Sequence, residues 1–103
     1  MRKREVGVSE SAISDIREAV GFYERQVPSL GNYFIDSLLV DLESLSFYSG
    51  IHPRFFGFYR MLARRFPFAI YYWIIGNRVQ VAAVLDMRRN PAWNRRQLRS
   101  RKH

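Results

Sequence analysis

The sequence predicts an α+β domain: an N-terminal strand, an antiparallel helical hairpin, and then a three-stranded antiparallel meander that completes one mainly antiparallel sheet. Apolar residues recur at helical spacing up to residue 48, and after Pro53 the period becomes strand-like. Gly76-Asn77 separates two strongly apolar runs where a two-residue hairpin belongs. Helices followed by consecutive strands place the helices on one face of the sheet.

Taken in order, residues 4–8 alternate weakly with Val6 and Val8 on one side, a short first strand. Ser9-Glu10-Ser11 supplies an N-cap and an acidic first turn. Ile13, Ile16, Val20, Tyr23 and Val27 then form the apolar stripe of a helix that ends at Pro28. A second helix runs from about Gly31 to Tyr48 with Ile35, Leu38, Leu42 and Leu45 as its stripe. Phe34 and Leu39 widen that stripe, while Asp36, Asp41 and Glu43 stay on the polar side. Gly50, with Pro53 beyond it, stops the helix. Phe55 to Leu62 reads as one aromatic strand, Ala63-Arg64-Arg65 as a turn, Phe66 to Ile75 as a central strand buried on both faces, and Val79 to Leu85 as its return. Residues 1–90 form the domain and residues 91–103 a basic tail, with Arg95, Arg96, Arg99, Arg101 and Lys102 as a flexible electrostatic arm.

The 103 residues suit one domain, and 48% hydrophobic content is far too apolar for disorder. Without cysteine there is no disulfide or thiolate metal site, and two histidines, His52 and His103, argue against a histidine metal centre. No cofactor is expected. The basic start lacks the apolar segment of a signal peptide, and the Phe66 to Ile75 run is too short to span a bilayer, so a cytoplasmic protein without a membrane partner is expected. The net charge of +8 is divided unevenly. Residues 1–50 carry five Lys/Arg against eight Asp/Glu, a net of −3. Residues 51–103 carry twelve against Asp86 alone, a net of +11. Such asymmetry points to an anionic partner for one face.

Three stretches resemble the ParE/RelE superfamily of toxins from type II toxin–antitoxin modules. They are the helix opening Ser9-x-x-Ala12-x-x-Asp15-Ile16, the strand pair from Arg60 to Tyr72, and the ending Val81-x-x-Val84-Leu85-Asp86-Met87-Arg88-Arg89-Asn90-Pro91-x-x-Asn94-x-Arg96. Together they cover about residues 5–96. The resemblance implies a RelE/ParE-like fold, a cognate antitoxin as partner, and one of two targets: DNA gyrase for ParE-like members, or messenger RNA on the ribosome for RelE-like endoribonucleases. Members of the family often have histidine where this chain has Asp86, and an aspartate, which is expected to pair with Arg88 or another nearby arginine, cannot take over a cationic role.

The two targets ask for different residues. A metal-free ribonuclease needs a general base, a general acid and cations on the phosphate. The cations are present: Arg60, Arg65 and Arg88 form the catalytic set that a RelE-like reading selects, with Arg64 beside them. The acid–base pair is not evident. His52 reads as a surface histidine, no tyrosine follows Leu85, and His103 is the terminal residue. A ParE-like inhibitor, which hydrolyses nothing itself, needs only a binding surface. Arg60, Arg64, Arg65, Arg88, Arg89, Trp93, Arg95 and Arg96 supply it, since Trp and Arg dominate interface energetics. Trp93 fits equally well as a lid over the end of the sheet. A non-enzymatic nucleic-acid-binding module using the tail is a further alternative. The aromatic set Phe55, Phe56, Phe58, Tyr59, Phe66, Phe68, Tyr71, Tyr72 and Trp73 reads mainly as core, with base stacking as the other use of such residues.

Overall fold

A computed structural model describes residues 3–101. The elements are β1 (Glu5–Val8), α1 (Glu10–Gln26), α2 (Leu30–Tyr48), β2 (Arg54–Phe55), β3 (Phe58–Leu62), β4 (Phe68–Ile75), β5 (Arg78–Asp86) and α3 (Pro91–Ser100). The sheet order is β1-β5-β4-β3-β2. Only β1 is parallel to its neighbour, and the other pairings are antiparallel. The α+β class, the helical hairpin and the mainly antiparallel sheet are as the sequence predicts.

Local signals act where they stand in the chain. The Ser9 side chain accepts from the Ala12 N–H and caps α1. Gly50 takes a φ of 94° directly after the α2 C-cap, which glycine adopts at least cost. Ile75 pairs with Arg78 across Gly76-Asn77, and Gly76 has a φ of 57°. That is the tight hairpin with glycine first.

Four expectations need correction. Phe55 to Leu62 is two strands. Phe56 and Gly57 both have positive φ, 53° and 86°, and turn the chain so that Phe55 pairs with Phe58. The buried face of α1 is Ala12, Ile16, Ala19 and Tyr23, while Ile13 and Val27 are exposed. Small residues allow α1 to approach its neighbours, and so does Gly31 of α2, where a Cβ would stand 2.8 Å from the Val20 carbonyl oxygen. In α2, Leu39 is exposed and Asp41 is buried. The Asp41 carboxylate accepts from the Arg64 N–H at 3.2 Å, which fastens the β3–β4 turn to the helix, and burial raises its pKa above the usual aspartate value.

The fourth correction concerns the tail. Over its described part it is helix α3, lying against the sheet face opposite α1 and α2. The Asn90 side chain accepts from the Ala92 N–H at 2.8 Å and Pro91 opens the first turn. Leu98 is 1% exposed, within a second core of Phe58, Ala69, Tyr71, Ala82, Ala83 and Leu85. Trp93 packs against that core as a lid. The larger core, between sheet and hairpin, includes Tyr23, Phe34, Leu38, Leu45, Ile70, Tyr72 and Val81. Lys102 and His103 lie outside the described residues.

Arg101 secures the end of α3. Its guanidinium forms a forked ion pair with Asp15 of α1, one bond at 3.0 Å, with both side chains largely buried. It also donates to the Ala82 carbonyl, which Ser9 Oγ reaches as well. Ala82 is the extra residue of a β-bulge, since Tyr71 pairs with Ala83 and Tyr72 with Val81. Arg101→Ala, which strands Asp15 in the interior, is expected to cost about 3 kcal/mol. Leu98→Ala is expected to cost about 3 kcal/mol through the cavity it leaves. Urea unfolding measures both, and a freely moving tail predicts no change for either.

Candidate functional site

The chain brings its arginines to two neighbouring depressions on either side of one ridge. The ridge is Arg89 and Trp93, with the Arg89 guanidinium carbon 3.7 Å from the Trp93 ring centroid. Arg89 belongs to the turn after β5, and Trp93 lies in the first half of α3.

On one side of the ridge, a cleft of about 250 Å³ opens between α3 and the sheet face it covers. It is lined by Phe55, Phe56, Arg60, Tyr71, Met87, Arg89, Pro91, Asn94, Arg95 and Leu98. Three arginines from three elements converge there, and among the described residues no carboxylate lines it. Arg60 enters from β3 with its guanidinium carbon 3.7 Å from the Phe55 ring centroid, so stacking holds its plane. Phe56 is 53% exposed at the β2–β3 turn. The Asn94 amide donates to the Asp86 carbonyl at 3.2 Å and fixes α3 on β5. An arginine-rich concavity with an exposed aromatic edge suits an anionic, partly planar partner.

On the other side, a groove of about 340 Å³ runs between α1 and the free edge of β5. Strand β1 pairs only with residues 78–81, so β5 has no strand partner on that side beyond Val81. Asp15 caps the exposed edge by accepting from the Val84 N–H at 3.0 Å. Phe22, Phe68 and Trp93 form apolar walls, and Asp15, Glu18, Arg25, Asp86 and Arg89 mix charges along the lining.

The remaining sequence-selected residues are distributed as follows. Arg64 and Arg65 stand at the β3–β4 turn, toward α2. The Arg64 N–H serves Asp41, and the Arg65 guanidinium donates to the Tyr33 hydroxyl at 3.2 Å. Arg88 turns toward α1. It makes a forked pair with Asp86 at 2.8 and 3.0 Å, and it donates to the Tyr23 hydroxyl at 3.2 Å. Of the arginines the sequence offers to Asp86, the structure pairs it with Arg88. Arg96 is exposed on α3. Arg60, Arg89 and Arg95 therefore meet at one cleft, whereas Arg64, Arg65 and Arg88 are engaged with the helical hairpin and Asp86.

Other proton-transfer groups lie outside the cleft, in a separate pocket that brings His52 and Asp41 together with Arg60 and Arg64. His52 shares a hydrogen bond with the Tyr72 hydroxyl on the hairpin side of the sheet, and burial lowers its pKa, which keeps the ring neutral at pH 7. Burial raises the Tyr72 pKa. In the cleft, Tyr71 is the one titratable lining residue besides the arginines among the described residues. Sequence reasoning missed the structural role of Arg101 and the placement of Asn94. Asn90-Pro91, a helix-start signal, was the clue to both.

No family model matches the sequence, and no curated protein matches it. Among solved structures, a chain of the one described as the chromosomal ParDE TA system from P. aeruginosa is similar in fold. Its TM-score is 0.72, covering 80% of this chain and 94% of that chain at 14% identity.

Hydrogen bonds from Arg88 hold the Asp86 pKa below the usual aspartate value. The pair therefore stabilises the fold above the unfolded-state pKa and loses its effect as pH falls through the lower folded pKa. Asp86→Asn is expected to be less stable than the parent chain at pH 7 by about 1 kcal/mol or less, because Arg88 is half exposed. Urea titrations from pH 7 to pH 2 are expected to show that gap closing only below about pH 4. The chain thus has a ParE-like fold, with Asp86 at the end of β5 locked onto Arg88.

Proposed function

We propose that the chain is the toxin of a type II toxin–antitoxin module, acting in the cytoplasm, that arrests growth by binding its target rather than by hydrolysis. DNA gyrase is the target, and a cognate antitoxin neutralises the toxin. The observation that carries this reading is the composition of the cleft. Arg60, Arg89 and Arg95 converge in a cleft that, among the described residues, no carboxylate or histidine lines, while Glu18 stands 3.9 Å from Arg89 and His52 and Asp41 share a separate pocket with Arg60. A phosphodiester-cleaving site needs proton transfer at both the attacking and the leaving oxygen, and arginine does not supply it near neutral pH. The likeness in fold to a chain of a ParDE structure supports the same assignment.

In this reading the cleft and the Arg89–Trp93 ridge form the target-binding surface. Arg95 and Arg96 extend it along α3, and the groove of mixed charge beside α1 receives the antitoxin. Arg64, Arg65 and Arg88 take part through their exposed surface while holding the hairpin and the β5 turn in place. The RelE-like alternative, with Arg60, Arg65 and Arg88 on a scissile phosphate of ribosome-bound messenger RNA, draws support from Arg60 lying beside Tyr71, a side chain with a proton to give.

Inducible expression in a bacterial host, with DNA supercoiling and messenger RNA integrity read from the same culture, separates the two. Growth arrest with altered supercoiling and intact messages is expected. An Arg89→Ala/Arg95→Ala chain is expected to accumulate folded and to lose most of the arrest. Rapid codon-specific message cleavage would instead assign the RelE-like activity, and untouched gyrase supercoiling at high excess of purified protein would remove gyrase as the target.

A further inference from the structure

Helix α2 carries an exposed apolar stripe on the face turned away from the core. Tyr33, Val40 and Phe47 recur every seven residues and are 48%, 56% and 46% exposed, with Leu39 alongside at 46%. Asp36 and Glu43 repeat at the same interval within the stripe, and both are exposed. Neither makes an ion pair among the described residues. Helix α2 contains no Lys or Arg, in a chain whose net charge is +8. Apolar and acidic residues alternating at heptad spacing are the arrangement of a helix seam that awaits a partner.

The charges decide which partner fits. A second copy laid along the stripe, parallel or antiparallel, brings Asp36 and Glu43 within a turn of the same acids on its twin, and like charges so placed repel. The α3 helix of a second copy brings cations but no free apolar residue, since Leu98 is buried and Trp93 is packed over the sheet. We propose that the outer face of α2 docks a basic amphipathic helix of another protein. Apolar residues of that helix meet Tyr33, Val40 and Phe47, and its Lys or Arg side chains pair with Asp36 and Glu43. This surface is separate from the arginine cleft, and the inference goes beyond the toxin reading without resting on it.

The test uses the full chain and two labelled helical peptides of three heptads with the same leucine positions, one with lysines flanking the leucines and one with glutamates. Fluorescence anisotropy is expected to show saturable binding of the lysine peptide and none of the glutamate peptide. The Asp36→Lys/Glu43→Lys chain is expected to bind the lysine peptide at least about tenfold more weakly and to gain the glutamate peptide. Val40→Ser/Phe47→Ser is expected to bind neither. Circular dichroism checks that each variant keeps its fold, and the two peptides on the parent chain decide the matter if one does not. Equal affinity for the two peptides, or no binding of the lysine peptide, overturns the proposal. So does a dimer in sedimentation that Val40→Ser/Phe47→Ser abolishes, which would assign the face to a second copy.

Discussion

Asp15 accepts hydrogen bonds from the Val84 N–H of β5 and from the Arg101 guanidinium at the end of α3, and so ties one helix on each face of the sheet to the strand between them. The constraint is electrostatic. A carboxylate largely shielded from water needs its lone pairs filled, and here a backbone donor and a forked guanidinium fill them. The bulge at Ala82 makes the arrangement possible, because it frees a carbonyl that Ser9 and Arg101 both reach. With α3 held at its end by Arg101, along its length by Leu98 and near its start by Asn94, Arg89, Trp93 and Arg95 have fixed positions at the cleft mouth.

The positive charge of the C-terminal region thus divides into two roles. Arg88 and Arg101 are internal fasteners, one on Asp86 and one on Asp15. Arg89 is intermediate, stacked on Trp93 with a loose contact to the exposed Glu18. Arg95, Arg96 and Arg99 make no ion pair among the described residues, and they remain available to an anionic partner. A count of charges along the chain treats all of these alike, and only their neighbours in space tell them apart.

The acidic first half has a similar division. Asp15 and Asp41 are interior acceptors for backbone N–H groups, Val84 for one and Arg64 for the other. Asp36 and Glu43 face solvent beside the apolar stripe of α2. The chain consequently presents two surfaces of opposite character, an arginine-lined cleft on the α3 side and an acid-studded apolar helix on the hairpin side. Separation of this kind allows two partners of different charge to bind one small domain at the same time.

Local and periodic features were legible in the sequence. The two long helices, the Gly76-Asn77 hairpin, the Ser9 cap and the Gly50 stop depend on spacing and on residue conformations within a few positions. A pairing of Asp86 with a nearby arginine was legible for the same reason, with Arg88 two residues away. The buried stripes were legible at Ile16, Tyr23, Phe34, Leu38, Leu42 and Leu45, and tertiary structure decided their margins, where close approach at Ala12, Ala19 and Gly31 left Ile13, Val27 and Leu39 exposed. It also decided the fate of the arginine-rich ending. A helix with a single buried leucine has little hydrophobic pattern to read, and its docking depends in part on Asp15, 86 residues away from Arg101 in the chain. The convergence of Arg60 with Arg89 and Arg95 was hidden likewise, since strand order and helix docking, rather than sequence distance, set which cations share a cleft.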